Sequence, residues 1–143
     1  MTVTTEAPIW RAFYDDGCKY LRSAEGGRNR PQVFTPDITF NLAAMAIEKL
    51  SMALLLEAGD IADNHTMHDL VLSLSRLPDL DLGLLEAIDN LGRFEDLCPM
   101  APPQNAVVLA EDVPAILAVA RELHEVSLQR LPLASEAELH TPR

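Results

Sequence analysis

Five side chains able to ligate a metal or move a proton crowd one ten-residue stretch: Asp60, Asp63, His65, His68 and Asp69. Oxygen and imidazole donors suit divalent cations, and histidine exchanges its proton near neutral pH. The same residues also have a structural reading. Asp and Asn populate turns, and Thr66 followed three residues later by Asp69 is capping-box-like, its hydroxyl able to bond the amide of Asp69. On that reading no metal is expected, and His65, His68 and Asp69 stand as candidate binding residues. Glu48 and Lys49 join them because they interrupt an otherwise apolar stretch, where an unpaired buried charge is costly. Either they line a pocket or a dimer contact, or they are two solvated charges on an exposed strip.

Few other chemical constellations are present. Arg121 and His124 are close enough in sequence to neighbour one another on a helix, and read as a surface pair. No Ser/His/Asp set, Gly-rich phosphate loop or GxGxxG unit occurs; EGGRNR follows a helix and lacks the Lys-Ser/Thr ending of a phosphate loop. Cys18 and Cys98 lie far apart and belong to no zinc-type cluster, so they are expected to be reduced, buried thiols. No catalytic residue and no cofactor is expected from these patterns.

The elements that would position these residues are helices. The first is expected near Pro8 to Ala24, with Trp10, Phe13, Tyr14, Gly17, Leu21 and Ala24 at helical spacing and the glycines of EGGRNRP ending it. Thr35 caps the second, Pro36 suits its first position, Asp37 favours its positive end, and Gly59 closes it. Apolar residues surround nearly its whole circumference, so it needs neighbours on most sides, from other helices or a second copy of the chain. A third runs from Thr66 to a stop at Pro78, with Met67, Leu70, Val71, Leu74 and Leu77 as its stripe. The fourth spans about Asp81 to Leu97, turns Leu84, Leu85, Ile88 and Leu91 inward and is closed by Pro99; the Pro-rich loop CPMAPPQNA follows. The fifth starts near Asp112, tolerates Pro114 in its first turn, buries Ile116, Leu117, Ala120, Leu123 and Leu131, and ends at Pro132. No strand-like alternation of useful length appears. The expected architecture is all-α, an antiparallel four- to five-helix bundle, forming a single domain over 1–143 with its core at about 8–131 and a polar tail at 132–143.

Composition agrees with one such domain and narrows its partners. A chain of 143 residues with 48% hydrophobic and 23% charged side chains is long enough for a self-sufficient core. The net charge is −11, and it is uneven: residues 1–30 carry +1 and the remainder −12. Binding to bulk RNA or DNA runs on phosphate neutralisation, so an acidic surface argues against it, save for a local patch of Arg22, Arg28 and Arg30. The apolar run Ile38 to Ala58 approaches membrane-spanning length. It carries Asn41, Glu48, Lys49 and Ser51, and charge at bilayer depth is expensive, so it reads as a buried helix. The N-terminus MTVTTEAPIW has no basic start and no apolar run of signal-peptide length, so a cytoplasmic location is expected.

The segment FNLAAMAIEKLSMALLLEAGDIADNHTMHDLVLSLSR resembles the core of HEPN domains, in which an Ala-rich helix carrying A-x-E-K leads through a short loop into T-x-H-D-L. Those elements are here Ala46, Glu48 and Lys49, then Thr66, His68, Asp69 and Leu70, and the similarity extends over roughly 8–131. The resemblance implies a helical bundle, usually a homodimer, often beside a small nucleotidyltransferase as a toxin and antitoxin pair, or serving as a nucleotide-binding or RNA-processing module. Ribonuclease members carry an Arg followed after four to six residues by a His, which pairs proton transfer with stabilisation of a phosphate's developing charge. Here none of His65, His68, His124 and His140 has an arginine at that spacing. The family's Arg-Tyr-Pro ending of the fourth helix is also absent, with Leu97 and Cys98 before Pro99, and the second Lys after the E-K pair is Met52. The expectation is therefore a non-catalytic HEPN-like module that dimerises through its second helix and binds a protein partner, such as a nucleotidyltransferase, or a small nucleotide. The alternative is a divergent metal-independent endoribonuclease using some mixture of Arg93, Arg121, His68 and His124.

Overall fold

In a computed structural model of the protein, the described residues are 7–95 and 106–133. They form five α-helices and three short 3-10 turns: α1 (Ile9–Gly26), α2 (Pro36–Glu57), α3 (Met67–Leu74), α4 (Leu82–Leu91) and α5 (Val113–Arg130), with 3-10 turns at Gly27–Asn29, Gly92–Phe94 and Ala110–Asp112. No strand occurs among the described residues. The chain is an all-helical bundle. The Pro-rich loop with Cys98 and Pro99, the N-terminal residues 1–6, and the tail from residue 134 with His140 lie outside the described residues.

Helix starts follow local chemistry. Thr35 Oγ1 accepts the Ile38 N–H at 3.4 Å with Pro36 in the first turn, so α2 begins where its cap and its proline dictate. Thr66 Oγ1 accepts the Asp69 N–H at 3.1 Å and its own hydroxyl donates to Asp69 Oδ2 at 2.7 Å, which opens α3. Asp81 caps α4 through the Gly83 N–H, and Asp112 Oδ2 accepts the Leu109 N–H at 2.8 Å just ahead of α5. At the far end of α2, Gly59 takes φ +81°, a left-handed conformation that glycine adopts without Cβ strain and that turns the chain out of the helix.

α2 is the axis of the bundle. It packs against α1 along most of its length, against α5 and against α3, while α3 pairs with α4 and α5 also meets α1 and α4. Phe40, Ala43, Ala46, Ile47, Leu50, Ala53, Leu54 and Leu55 are all buried. By length and composition α2 could cross a membrane, and most of it is buried inside the fold. The neighbours its apolar circumference demands are thus largely supplied by the chain's own helices. On α1, Trp10, Tyr14, Gly17, Leu21 and Ala24 recur every three or four residues and face this axis. A Cβ built on Gly17 would stand 2.8 Å from Leu50 Cγ, so the absence of a side chain there sets how closely α1 and α2 approach.

Three boundaries differ from those read in the sequence. α1 runs two residues past Ala24, through Gly26 with Gly27 as its C-cap, so the glycines of EGGRNRP do end it, and the chain passes into the turn Gly27–Asn29. α3 ends at Leu74 instead of running to Pro78; Ser75 Oγ donates to Leu72 O at 2.6 Å, and Arg76 and Leu77 close turns onto Ser73 and Leu74. α4 gives way at Leu91, not Leu97. The tighter Gly92–Phe94 turn carries Phe94 onto Phe40, ring centroids 5.3 Å apart and 62° inclined, an edge-to-face pair.

Candidate functional site

Asp37, Asn41, Ala44, Met45 and Glu48 fall on one face of α2, at the three- and four-residue spacing that aligns side chains along a helix. This face forms one wall of a cleft of about 790 Å³. The opposite wall comes from His65 and Met67 at the entry to α3, Phe94 and Glu95 after the 3-10 turn, and Ala106, Val107 and Val108 on the way to α5. A backbone bond from Ala106 N–H to Arg93 O, 2.7 Å, ties two of these segments together. The interior is aromatic and aliphatic, and the polar groups that reach it are mostly acidic.

Two of the candidate residues read from the sequence meet here. Glu48 Oε1 stands 2.7 Å from His65 Nδ1, with Glu48 mostly sheltered and the imidazole more than half exposed. The contact is an ion pair when the ring is protonated and a hydrogen bond when it is not. Glu95 completes the acidic set. Its Oε1 accepts the Met67 N–H at 2.9 Å, and burial followed by the neighbouring Asp69 and Glu48 charges raises its carboxyl above the usual range, while the Met67 bond pulls the other way. Among the described lining residues there is no lysine or arginine.

The other candidates point elsewhere. Lys49, one residue beyond Glu48 and so about 100° around the helix, lies 5.2 Å from the centre of the Phe13 ring on α1 and contributes nothing to the cleft. His68 faces α4, where Nδ1 meets Asp89 Oδ1 at 2.8 Å; that hydrogen bond, and then the Asp89 charge, raises its pKa. Asp69 is engaged in capping through Thr66. Asp60 belongs to an ion pair instead, accepting from Arg76 Nε at 2.8 Å and Nη2 at 3.1 Å, which holds its carboxyl below the usual range. The acidic and histidine cluster of residues 60–69 is therefore divided among four different partners. Among the described residues no three His, Cys, Asp or Glu side chains are placed to hold a metal ion.

The residues of the ribonuclease alternative are likewise divided. Arg121 Nε pairs with Glu25 at 3.4 Å, and His124 Nε2 meets the Tyr14 hydroxyl at 3.3 Å with the two rings stacked. Arg93 lies over the Phe94 ring at 4.2 Å and donates to Asn90 O. His68 is on Asp89, as above.

Sequence reasoning missed Glu95, Asp37 and Asn41. The spacing 37, 41, 44, 45, 48 was available as a signal for the α2 wall. Glu95 carried none, because its place depends on the tight turn that folds the chain back onto α3.

Fold and site together define a helical bundle with one acidic, apolar-floored cleft beside its central helix. Neither a protein-family model nor a curated protein sequence matches the chain. Among solved structures it is similar to TT1696 from Thermus thermophilus, with a TM-score of 0.67 and 23% identity, over 87% of this chain and 100% of that one. At that identity the likeness establishes a shared helical fold and carries nothing about chemistry.

Proposed function

We propose that this chain is a non-catalytic HEPN-like module that uses the cleft between α2, α3 and the Glu95 segment to bind a partner. One observation carries the reading: Asp37, Glu48 and Glu95 line the cleft with no arginine or lysine among its described lining residues, while Arg121, His68 and His124 are each engaged at other places and Arg93 is laid over the ring of Phe94. Phosphoryl chemistry needs positive charge where the oxyanion develops, and this cleft offers carboxylates instead. A protein ligand fits it better than a small nucleotide, whose phosphates would meet three acids.

Pairing with a second copy remains part of the reading through the family resemblance. It draws no support from the buried faces of α2, which the chain's own helices cover. A nucleotidyltransferase encoded beside this chain is the partner the resemblance suggests. The test has two arms. Purified protein incubated with single-stranded RNA, without metal, leaves it intact, and cleavage that disappears in His68→Ala or His124→Ala replaces this reading with the ribonuclease one. Co-expression with such a neighbouring nucleotidyltransferase yields a complex that Glu48→Lys breaks, and light scattering on the isolated chain reports whether it pairs.

A further inference from the structure

The cleft is a groove with an apolar floor and a one-signed rim, and the two features together specify an occupant. Met45 and Val107, with the edges of the largely buried Phe40, Met67 and Phe94, supply apolar lining beside Asp37, Glu48 and Glu95. We infer that the groove receives a segment of a partner protein that presents an arginine or lysine among apolar side chains, the basic head seated between Glu48 and Glu95. This rests on the proposed reading of the cleft as a binding site and names the chemistry of what it binds.

The groove is complementary to a cation on an apolar stem. Glu48 already takes a nitrogen donor, His65, at 2.7 Å, but that imidazole is more than half exposed and comes from the segment leading into α3, so an incoming guanidinium can exchange for it. A guanidinium brings five donors in a planar fork, against the single contact His65 makes, and can bond a carboxylate through two of them. Glu95 spends Oε1 on Met67, and its raised proton affinity reflects burial beside Glu48 and Asp69. A cation between the two glutamates relieves that repulsion. The alkyl stem of the same side chain lies along the apolar surface of Met45 and Val107, as long basic residues do. A volume of about 790 Å³ holds more than one side chain, so apolar neighbours of the basic residue also find room.

The experiment titrates uniformly labelled protein with three probes and follows backbone amides by NMR. The probes are acetyl-Leu-Arg-Leu-Arg-Leu-amide, the same peptide with Glu for Arg, and ATP. With a net charge of −11 the protein attracts any basic peptide weakly, so the decisive readout is saturation at named amides. The arginine peptide saturates shifts at Glu48, His65, Met67 and Glu95, and the glutamate peptide does not. The Glu48→Gln, Glu95→Gln double variant weakens the arginine peptide at least tenfold. Should that variant misfold, Asn41→Arg, an exposed position on the same α2 face, gives the second reading by placing a guanidinium in the groove and lowering affinity to the same degree. Shifts scattered over the acidic surface without saturation, or affinity unchanged in these variants, overturn the inference. ATP saturating the same amides where the arginine peptide does not overturns the cationic occupant and leaves the cleft as a binding site. If no probe reaches the cleft, the inference and the reading beneath it fall together.

Discussion

Glu95 accepts the Met67 backbone N–H through Oε1 at 2.9 Å, so one carboxylate both caps the first free amide of α3 and lines the cleft. The first amides of a helix have no partner within it, and a negative charge there meets the positive end of the helix dipole. Burial and the neighbouring carboxylates act against that benefit by raising the Glu95 pKa.

The two effects separate by substitution. Glu95→Ala removes the acceptor and costs about 1 kcal/mol of stability. Glu95→Gln keeps an oxygen for Met67 and discards the charge, so at neutral pH it is expected to equal or exceed the parent protein. The sign of the pH dependence follows from the raised carboxyl: the folded state holds the proton more tightly than the unfolded chain. The Glu95 contribution is therefore fully present below the ordinary glutamate range and is lost as pH rises through the elevated folded value. Urea unfolding of both variants at neutral and mildly acidic pH checks this; a Gln variant as damaged as the Ala variant would falsify it.

Gly17 and Leu50 set the spacing of the two longest-packed helices. Alanine at 17 gains up to about 1 kcal/mol of helix propensity. Its Cβ, however, would meet Leu50 Cγ at 2.8 Å, Cδ2 at 2.9 Å and the Leu50 backbone nitrogen at 3.3 Å. The leucine side chain can rotate away, but the backbone contact moves only if α1 is pushed off α2, and overpacking of this kind costs about 1–3 kcal/mol. Gly17→Ala is therefore expected to be destabilising on balance, and Gly17→Val more so. Thermal melts of the pair in that order support the close approach; melts at or above the parent temperature refute it.

The helices were legible in the sequence where a local signal marked them. Thr35 with Pro36, and Thr66 with Asp69, carry the chemistry that starts α2 and α3, and both bonds are present. The stripe Ile116, Leu117, Ala120, Leu123 and Leu131 is buried as its spacing requires. The end of α4 was not legible, since the periodicity of Leu84, Ile88 and Leu91 does not reveal that Phe94 leaves the α-helical register to reach Phe40. The candidate site was half legible. Glu48 and His65 stand out in the sequence by their types, yet what joins them, and what adds Glu95 while sending Lys49 to Phe13, is the packing of separate helices. Spacing along one chain does not encode such distances.

Ser51 lies on α2, fully buried, and its Oγ has no hydrogen-bond partner among the described residues. Ser127, equally buried on α5, instead donates to Leu123 O at 2.9 Å. A hydroxyl left unpaired in an apolar interior carries its desolvation cost without return. Ser51→Ala should raise stability by about 1 kcal/mol, helped by the better helix propensity of alanine. Ser127→Ala gives up a bond and should show no such gain. Denaturant midpoints for the two variants decide the matter: a loss at position 51 means that its hydroxyl is satisfied in solution.

Tyr14 joins α1 to α5 through its hydroxyl contact with His124, and its pKa is raised to about 12, first by burial and then by the hydrogen bond and charge of Cys18, with Arg11 acting in the opposite direction. An acid whose folded pKa is raised favours its neutral form in the folded state. The Tyr14 contribution is accordingly intact below the ordinary tyrosine value of about 10 and disappears as pH climbs from there to about 12. Phenolate absorbance should show a component that titrates late, and Tyr14→Phe should remove that component. The same substitution leaves the His124 ring nitrogen without its partner on α1, at a cost of about 1 kcal/mol near neutral pH. A late component that persists in Tyr14→Phe would show that the phenol is not sheltered between α1 and α5.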